Sequence, residues 1–435
     1  MSDPRKLPVP SLGPARFRSP LRLSRVAGAG LGRFVPDDTW VRRSVDEPPR
    51  EAEDELLEKA GPREMLFFDP GAARAAVVTC GGLCPGLNNV LRALFLELHF
   101  NYRVTEVLGI HDGYLGLNRK DGRPPLVLTL DDVEGIHRDG GTLLGTSRGP
   151  QDVSTMADTL LEWGVSMLFT VGGDGTQRGA LALARELARR SAPVAVVGIP
   201  KTIDNDVAYC QRTFGFRTAV EAAQNVLHAA HNEARGTPRG IGLVKLMGRH
   251  AGFIAATATL AAGDVNFCLV PEVPFTLDGL FKALSARMDD RGHSVIVVAE
   301  GAGQDLLRAE AGHEENARDA SGNARLKDIG PFLKTELSER FAALGRPVEI
   351  KYIDPSYVLR GGPANCEDGL LCDRLARNAV HAGMAGRTET MVGYLNGTFV
   401  HVPIERAVSG RRRLDPEGDA WVSVLAATGQ PPNMV

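Results

Sequence analysis

The chain has 435 residues, enough for two or three domains, and 43% of them are hydrophobic against 24% charged, the balance of a folded protein. Its 50 Lys and Arg nearly cancel its 53 Asp and Glu, a formal net charge of −3 that argues against a nucleic-acid partner. The six cysteines follow no repeating spacing and no apolar run reaches the roughly 20 residues of a membrane span, so disulfides, zinc and a membrane are not expected and a cytoplasmic location is.

Residues 1–70 are Pro-rich, basic up to Arg33 and acidic from Glu51 to Glu58, and read as an N-terminal extension. Glu51 to Ala60 is expected to be a short helix. The run Gly28-Ala29-Gly30-Leu31-Gly32 follows no strand and receives no nucleotide role. From about Arg74 the pattern changes to short β-branched runs, each followed by a turn and a helical segment. Ala75 to Thr79 precedes a helix from about Asn88; Met167 to Val171 precedes one from about Gln177; Ala195 to Ile199 leads through a loop to one near Arg217 to Glu233. The alternation restarts with Ile241 to Leu246, a buried helix after Gly252, Phe267 to Val270, a helix near Leu277 to Met288 and the strand Ser294 to Val298. Such alternation predicts two doubly wound α/β domains with parallel sheets, whose ligands gather at the carboxyl ends of strands in a cleft between the domains.

The 49 glycines matter where they follow strands. Gly81, Gly82 and Gly86 lie between one strand and the next helix, where free N–H groups suit a phosphate. Gly172-Gly173-Asp174-Gly175-Thr176 sets one carboxylate on a slim backbone, which suits a Mg²⁺ carried on a polyphosphate; lipid kinases, NAD kinases and sugar-phosphate kinases share this run. Pro200-Lys201-Thr202-Ile203-Asp204-Asn205-Asp206 puts two carboxylates, a hydroxyl and an ammonium after a third strand, a set able to hold metal and to take a proton from an alcohol. His137-Arg138-Asp139 mimics a protein-kinase loop, but Leu144 replaces the Asn it needs, and no P-loop sequence occurs.

In order along the chain, these turns resemble the phosphofructokinase family from about residue 74 to about 375. The match adds Gly109 to Tyr114, Gly140 to Arg148, Met247-Gly248-Arg249, Ala299-Glu300-Gly301 and Tyr357 to Arg360. The resemblance implies phosphoryl transfer to the 1-hydroxyl of fructose 6-phosphate. Asp204 is then the base, Thr202 hydrogen-bonds the moving phosphoryl, Arg249 neutralises its charge and Asp206 supports metal and loop. Met247, Gly248 and Glu300 hold the sugar; Lys351, Tyr357 and Arg360 take its 6-phosphate. Gly82, Arg148, Asp174, Gly175, Thr176, Gly179 and Lys201 serve the donor, with Asp174 on Mg²⁺. Gly240 stands where many bacterial members place an arginine given across a subunit interface.

In family members that use pyrophosphate, the residue after the counterpart of Asp174 is typically a second Asp, which fills and repels the space of the ATP α-phosphate. Here it is Gly175, which implies ATP. Lys201 is typical of the pyrophosphate enzymes, but a lysine can pair with phosphate in either case, so Gly175 outweighs it. The Gly175 and Lys201 combination also resembles the long ATP-dependent members with N-terminal extensions. The runner-up is the pyrophosphate-dependent enzyme. A non-catalytic regulatory homologue is disfavoured because Asp174, Thr202, Asp204 and Arg249 all stand. The resemblance further implies a homodimer or homotetramer. The expected organisation is an extension over 1–70, a donor domain of 71–215 with about 360–410, a sugar-phosphate domain of 216–359, and a tail of 411–435 packed on the first domain or a partner.

Overall fold

The computed structural model describes residues 3–26, 32–46, 54–120, 122–311 and 326–435. It divides into two compact units, one of Met1–Thr202, Val207–Gly215 and Gly361–Arg411, the other of Ile203–Asp206, Phe216–Arg360 and Arg412–Val435.

The first unit is built on a ten-stranded sheet. Five strands precede its parallel centre: β1 (Lys6–Leu7), β2 (Phe17–Arg18), β3 (Trp40–Arg42), β4 (Leu56–Lys59) and β5 (Met65–Leu66). The centre follows as β6 (Arg74–Thr79), β7 (Glu106–Ile110), β8 (Leu126–Val127), β9 (Met167–Gly172) and β10 (Ala195–Pro200). The second unit contributes β11 (Gly240–Leu246), β12 (Phe267–Leu269), β13 (Ser294–Ala299) and β14 (Glu349–Ile353), and the chain returns to the first with β15 (Thr390–Leu395) and β16 (Thr398–Pro403). The large sheet runs β1-β4-β16-β15-β10-β9-β6-β7-β8 with β3 on β4, and β2 pairs β5 separately. β15, β10, β9, β6 and β7 are parallel neighbours. The chain goes from β6 outward to β7 and then back to β9 on its other side, so the strand order reverses between β6 and β9, where open α/β sheets bind their ligands. Register sets Thr79 opposite Val171, bringing the turns after both strands to one edge.

Helices α1 (Leu87–Leu96), α2 (Leu130–Val133), α3 (Val153–Glu162) and α4 (Asp174–Arg189) belong to the first unit, and α5 (Phe216–Gly236), α6 (Phe253–Ala262), α7 (Leu277–Arg291), α8 (Gln304–Ala311), α9 (Ile329–Ala343) and α10 (Ser356–Gly361) follow. The last three are α11 (Cys366–Met384), α12 (Ile404–Ala407) and α13 (Asp419–Thr428). Met156 and Leu160 of α3 and Leu183 and Leu187 of α4 pack on Ala76, Leu168 and Val196 of the first sheet. In the second unit the parallel order is β12-β13-β11-β14, and Leu280, Leu284, Leu333, Leu337 and Phe341 cover Ile241, Leu243, Ile296 and Val298. Burying each such side chain contributes about 1.5–3 kcal/mol, the main source of stability for both units.

Two expectations are corrected. The stretch expected as a helix holds strand β4: Leu56–Lys59 pairs with β1, β3 and β16, so tertiary pairing overrides its charged, helix-like composition, while residues 51–53 and 28–31 lie outside the described residues. The C-terminal segment packs in the second unit, not the first: α13 lies against α6, the Gln430 side chain brackets the backbone of Cys268, and buried Met434 joins the core there.

Candidate active site

In the first unit the three turns at the ends of β6, β9 and β10 are stitched to one another. The Cys80 N–H donates to the Val171 carbonyl at 2.9 Å and the Lys201 N–H to the Gly172 carbonyl at 3.1 Å. The buried Lys201 ammonium donates to the Gly82 carbonyl at 2.6 Å, so this cation ties the first turn to the third. Arg148 is brought to the same place: its Nη2 lies 3.2 Å from where a Cβ on Gly82 would stand. α4 begins at Asp174, three residues earlier than its sequence pattern suggests, because Gly173 is extended and opens the first turn there. The Asp174 carboxylate thus sits at the positive end of a 16-residue helix, and it accepts from Arg411 Nε at 2.8 Å. Nothing lies within 4 Å of where a Cβ on Gly175 would project, so space beside Asp174 is open.

In the second unit the residues expected to hold the acceptor stand at the ends of β11 and β13, adjacent strands that place Leu246 opposite Ala299. Met247, Gly248 and Arg249 follow β11 directly, and Glu300 follows β13. The Glu300 N–H donates to Leu246 at 2.9 Å and the Gly301 N–H to Gly248 at 3.2 Å, which locks the two strand ends side by side. Gly248 has φ +130°, a backbone shape that side chains rarely tolerate, and the Ala251 carbonyl would lie 2.7 Å from its Cβ. Asp204 and Asp206 flank Asn205, itself left-handed at φ 57°. Asp204 Oδ1 is fully enclosed. Burial, then the neighbouring charges of Asp206 and Glu300, push the Asp204 carboxyl up to about 8, against the pull of the Arg249 backbone N–H and guanidinium. Burial likewise raises Glu300, while Arg249, Lys245 and Arg360 oppose it. A carboxylate that binds its proton more tightly than usual beside a fixed arginine is suited to accepting a proton from an alcohol.

A family model described as phosphofructokinase matches residues 74–383. The chain belongs to the phosphofructokinase family. It is 43% identical over 438 residues to the ATP-dependent 6-phosphofructokinase of Borreliella burgdorferi, with 98% of this chain and 97% of that protein covered. To the ATP-dependent 6-phosphofructokinase of Trypanosoma cruzi it is 47% identical over 379 residues, covering 86% and 76%. Among solved structures, the pyrophosphate-dependent phosphofructokinase of Marinobacter aquaeolei is similar in fold with a TM-score of 0.68 at 18% identity, over 82% of this chain and 92% of that one.

Not every residue singled out for a phosphofructokinase role is brought to these sets. The Thr176 side chain is buried and folded back on Gly172 and the Cys80 thiol, so its hydroxyl faces inward. A Cβ on Gly179 would meet the Tyr114 ring at 2.7 Å; the small residue there makes room for the tyrosine, whose hydroxyl donates to the Thr176 carbonyl. Thr202 is half-buried, and its carbonyl accepts from Thr213 Oγ1 at 2.7 Å. Tyr357 and Arg360 are together, the guanidinium 4.7 Å from the ring centroid, with 79% of Tyr357 exposed. Lys351 stands apart. It pairs with Gly242 in register, five residues before Met247 or roughly 16 Å along the strand, and its ammonium bonds Glu349. At Gly240 a Cβ would lie 2.3 Å from the Ala234 carbonyl, so the backbone of α5 explains why no arginine stands there.

Sequence reasoning passed over Lys245. Its ammonium, mostly buried, is 2.8 Å from Asp354 and 2.9 Å from Asp328, and those bonds raise its pKa in spite of burial. Asp328 is the N-cap of α9, and Asp354 lies two residues ahead of α10, which carries Tyr357 and Arg360. The visible signal was a lysine inside an otherwise apolar strand, two residues before Met247.

Proposed function

We propose that this phosphofructokinase transfers the ATP γ-phosphoryl to the 1-hydroxyl of fructose 6-phosphate, giving ADP and fructose 1,6-bisphosphate. Identity of 43% to an ATP-dependent 6-phosphofructokinase over 98% of the chain carries the reading, and the open space at Gly175 supports ATP over pyrophosphate. Asp204 takes the hydroxyl proton as the oxygen attacks the γ-phosphorus, a contribution of about 10² to 10⁴ in rate. Arg249 faces the charge that develops on the transferred phosphoryl, and Thr202 donates a hydrogen bond to it. Met247 and Gly248 line the sugar while Glu300 accepts from its hydroxyls, and Tyr357 and Arg360 take the 6-phosphate. Lys351 serves a phosphate only from a second copy of the chain, in a homodimer or homotetramer.

On the donor side Gly82 offers close backbone approach, Arg148 and Lys201 supply positive charge, and Gly175 leaves room for the α-phosphate and nucleoside. Among the described residues no group of three or more His, Cys, Asp or Glu is placed to hold a metal by itself. The fit is therefore to a Mg²⁺ that arrives on the polyphosphate and takes one carboxylate, Asp174, with Asp206 supporting the loop. When bound, the ion screens charge between the β- and γ-phosphates.

The donor is decided by steady-state assays with fructose 6-phosphate, Mg²⁺ and either ATP or pyrophosphate. Turnover with ATP is expected; turnover with pyrophosphate alone contradicts the reading. Gly175→Asp fits the open space without disturbing the fold and places a second carboxylate against the α-phosphate. It is expected to lower kcat/KM for ATP at least about 100-fold with an unchanged melting temperature. An unaltered kcat/KM would show that the missing side chain does not select the donor.

A further inference from the structure

The run Arg411-Arg412-Arg413 follows the last strand of the first unit and finds no use in the reaction as derived above. Its first member is placed with care. Arg178 on α4 donates to the Val408 carbonyl at 2.7 Å, which pins the chain after α12 onto that helix. Three residues later Arg411 forms an antiparallel bridge with Val207, the residue directly after the two-carboxylate turn. Held at both points, the Arg411 guanidinium reaches Asp174 Oδ2 at 2.8 Å, with the two side chains 30% and 20% exposed. Arg412 does different work, its N–H donating to the Asp206 carbonyl at 2.9 Å and its guanidinium to that of Asn205 at 3.2 Å.

We infer that Arg411 is a positioning residue of the donor site, which orients the Asp174 carboxylate and offsets its charge where a nucleotide polyphosphate must come close. The inference rests on the donor reading of Asp174 given above. The electrostatics follow from the geometry. An isolated carboxylate at this place repels a di- or triphosphate, whereas a carboxylate bonded to a guanidinium presents a nearly neutral pair with further N–H donors. A divalent ion on the phosphates supplies the same offset by itself. Arg411 therefore counts most for nucleotide bound without metal and least for nucleotide bound with it.

Calorimetry with ADP tests this on the full chain, in EDTA and in saturating Mg²⁺. For Arg411→Gln the Kd for ADP in EDTA is expected to rise about 10-fold or more, and that in Mg²⁺ by less than about 3-fold, with Arg411→Lys recovering most of the loss. Arg413→Gln, which alters a neighbouring charge without this contact, is expected to match the parent in both. Equal Kd values for parent and Arg411→Gln in EDTA overturn the inference, as does an equal rise in both conditions, the mark of a structural role. Should Arg411→Gln fail to fold, Arg411→Lys and Asp174→Asn stand in. The lysine variant is expected to show a smaller rise confined to EDTA, and the asparagine variant to bind ADP in EDTA at least as tightly as the parent. The opposite results overturn the inference. Failure of the parent itself to bind ADP contradicts instead the donor reading on which the inference rests.

Discussion

Asp204 carries two opposed demands. Its carboxyl is held at about 8 against an ordinary 3.8 because burial and two acidic neighbours disfavour its charge. The acid limb of kcat/KM for fructose 6-phosphate is therefore expected well above the ordinary carboxylate value, activity falling as the pH drops and the base is protonated. A profile flat down to about pH 5 would contradict that assignment. The same elevation costs stability. Between 3.8 and 8 the folded protein holds a proton at this site that the unfolded chain does not, so this group's contribution to folding declines as pH rises across that window. Asp204→Asn removes the penalty, and its melting temperature at pH 8 is expected to exceed that of the parent; a lower value would show that the carboxylate is well accommodated.

Lys245 shows how strand and helix ends combine to hold a site. It lies in β11 just before Met247 and bonds the N-cap of α9 and Asp354, two residues ahead of α10, so three elements meet on one ammonium. Lys245→Met retains the stem and deletes the charge. Loosening the Tyr357–Arg360 turn is expected to raise KM for fructose 6-phosphate about 10-fold with kcat changed much less, and Lys245→Arg to restore part of it. A fall in kcat alone would place the residue in the chemistry instead. β4 uses the same device in the first unit. Its Glu58, 4% exposed, meets Arg387 at 3.3 Å and His401 at 3.5 Å, and these partners hold its carboxyl below the usual range although burial alone would raise it. Glu58→Ala removes the acceptor shared by the buried His401 ring, whose pKa burial lowers, and by Arg387, which keeps Asp37 at 3.2 Å, and is expected to cost about 1–3 kcal/mol in denaturant unfolding at neutral pH. The difference narrows as pH falls through the lowered pKa of the carboxyl. A cost below about 1 kcal/mol would mean the N-terminal strand is held by its backbone pairing alone.

The chain passes between its two units at five points, after residues 202, 206, 215, 360 and 411. Two of them bracket Ile203–Asp206, so a single short segment delivers Lys201 and Thr202 to one unit and both carboxylates to the other. Most of the candidate residues in each unit were legible because the turns after β6, β9 and β10 in one unit, and after β11 and β13 in the other, are local: a β-branched run, then glycines or charged residues. What escaped was non-local. β4 reads as helix until its partners β1, β3 and β16 are known, and Met434 and Arg411 find their places only through contacts with distant residues, 275 and 276 for one and 174 and 207 for the other. Thr176 and Gly179 belonged to the right motif, yet packing turns one inward and fills the space before the other. Asp204 is the base proposed to drive phosphoryl transfer from ATP to fructose 6-phosphate. Phosphorus NMR of a mixture of ATP, Mg²⁺ and fructose 6-phosphate, followed with the parent and with Asp204→Asn, tests it most directly. The parent is expected to convert the mixture to ADP and fructose 1,6-bisphosphate, and the variant to do so about 10² to 10⁴ times more slowly. Equal rates in the two proteins, or no bisphosphate from the parent, would contradict it.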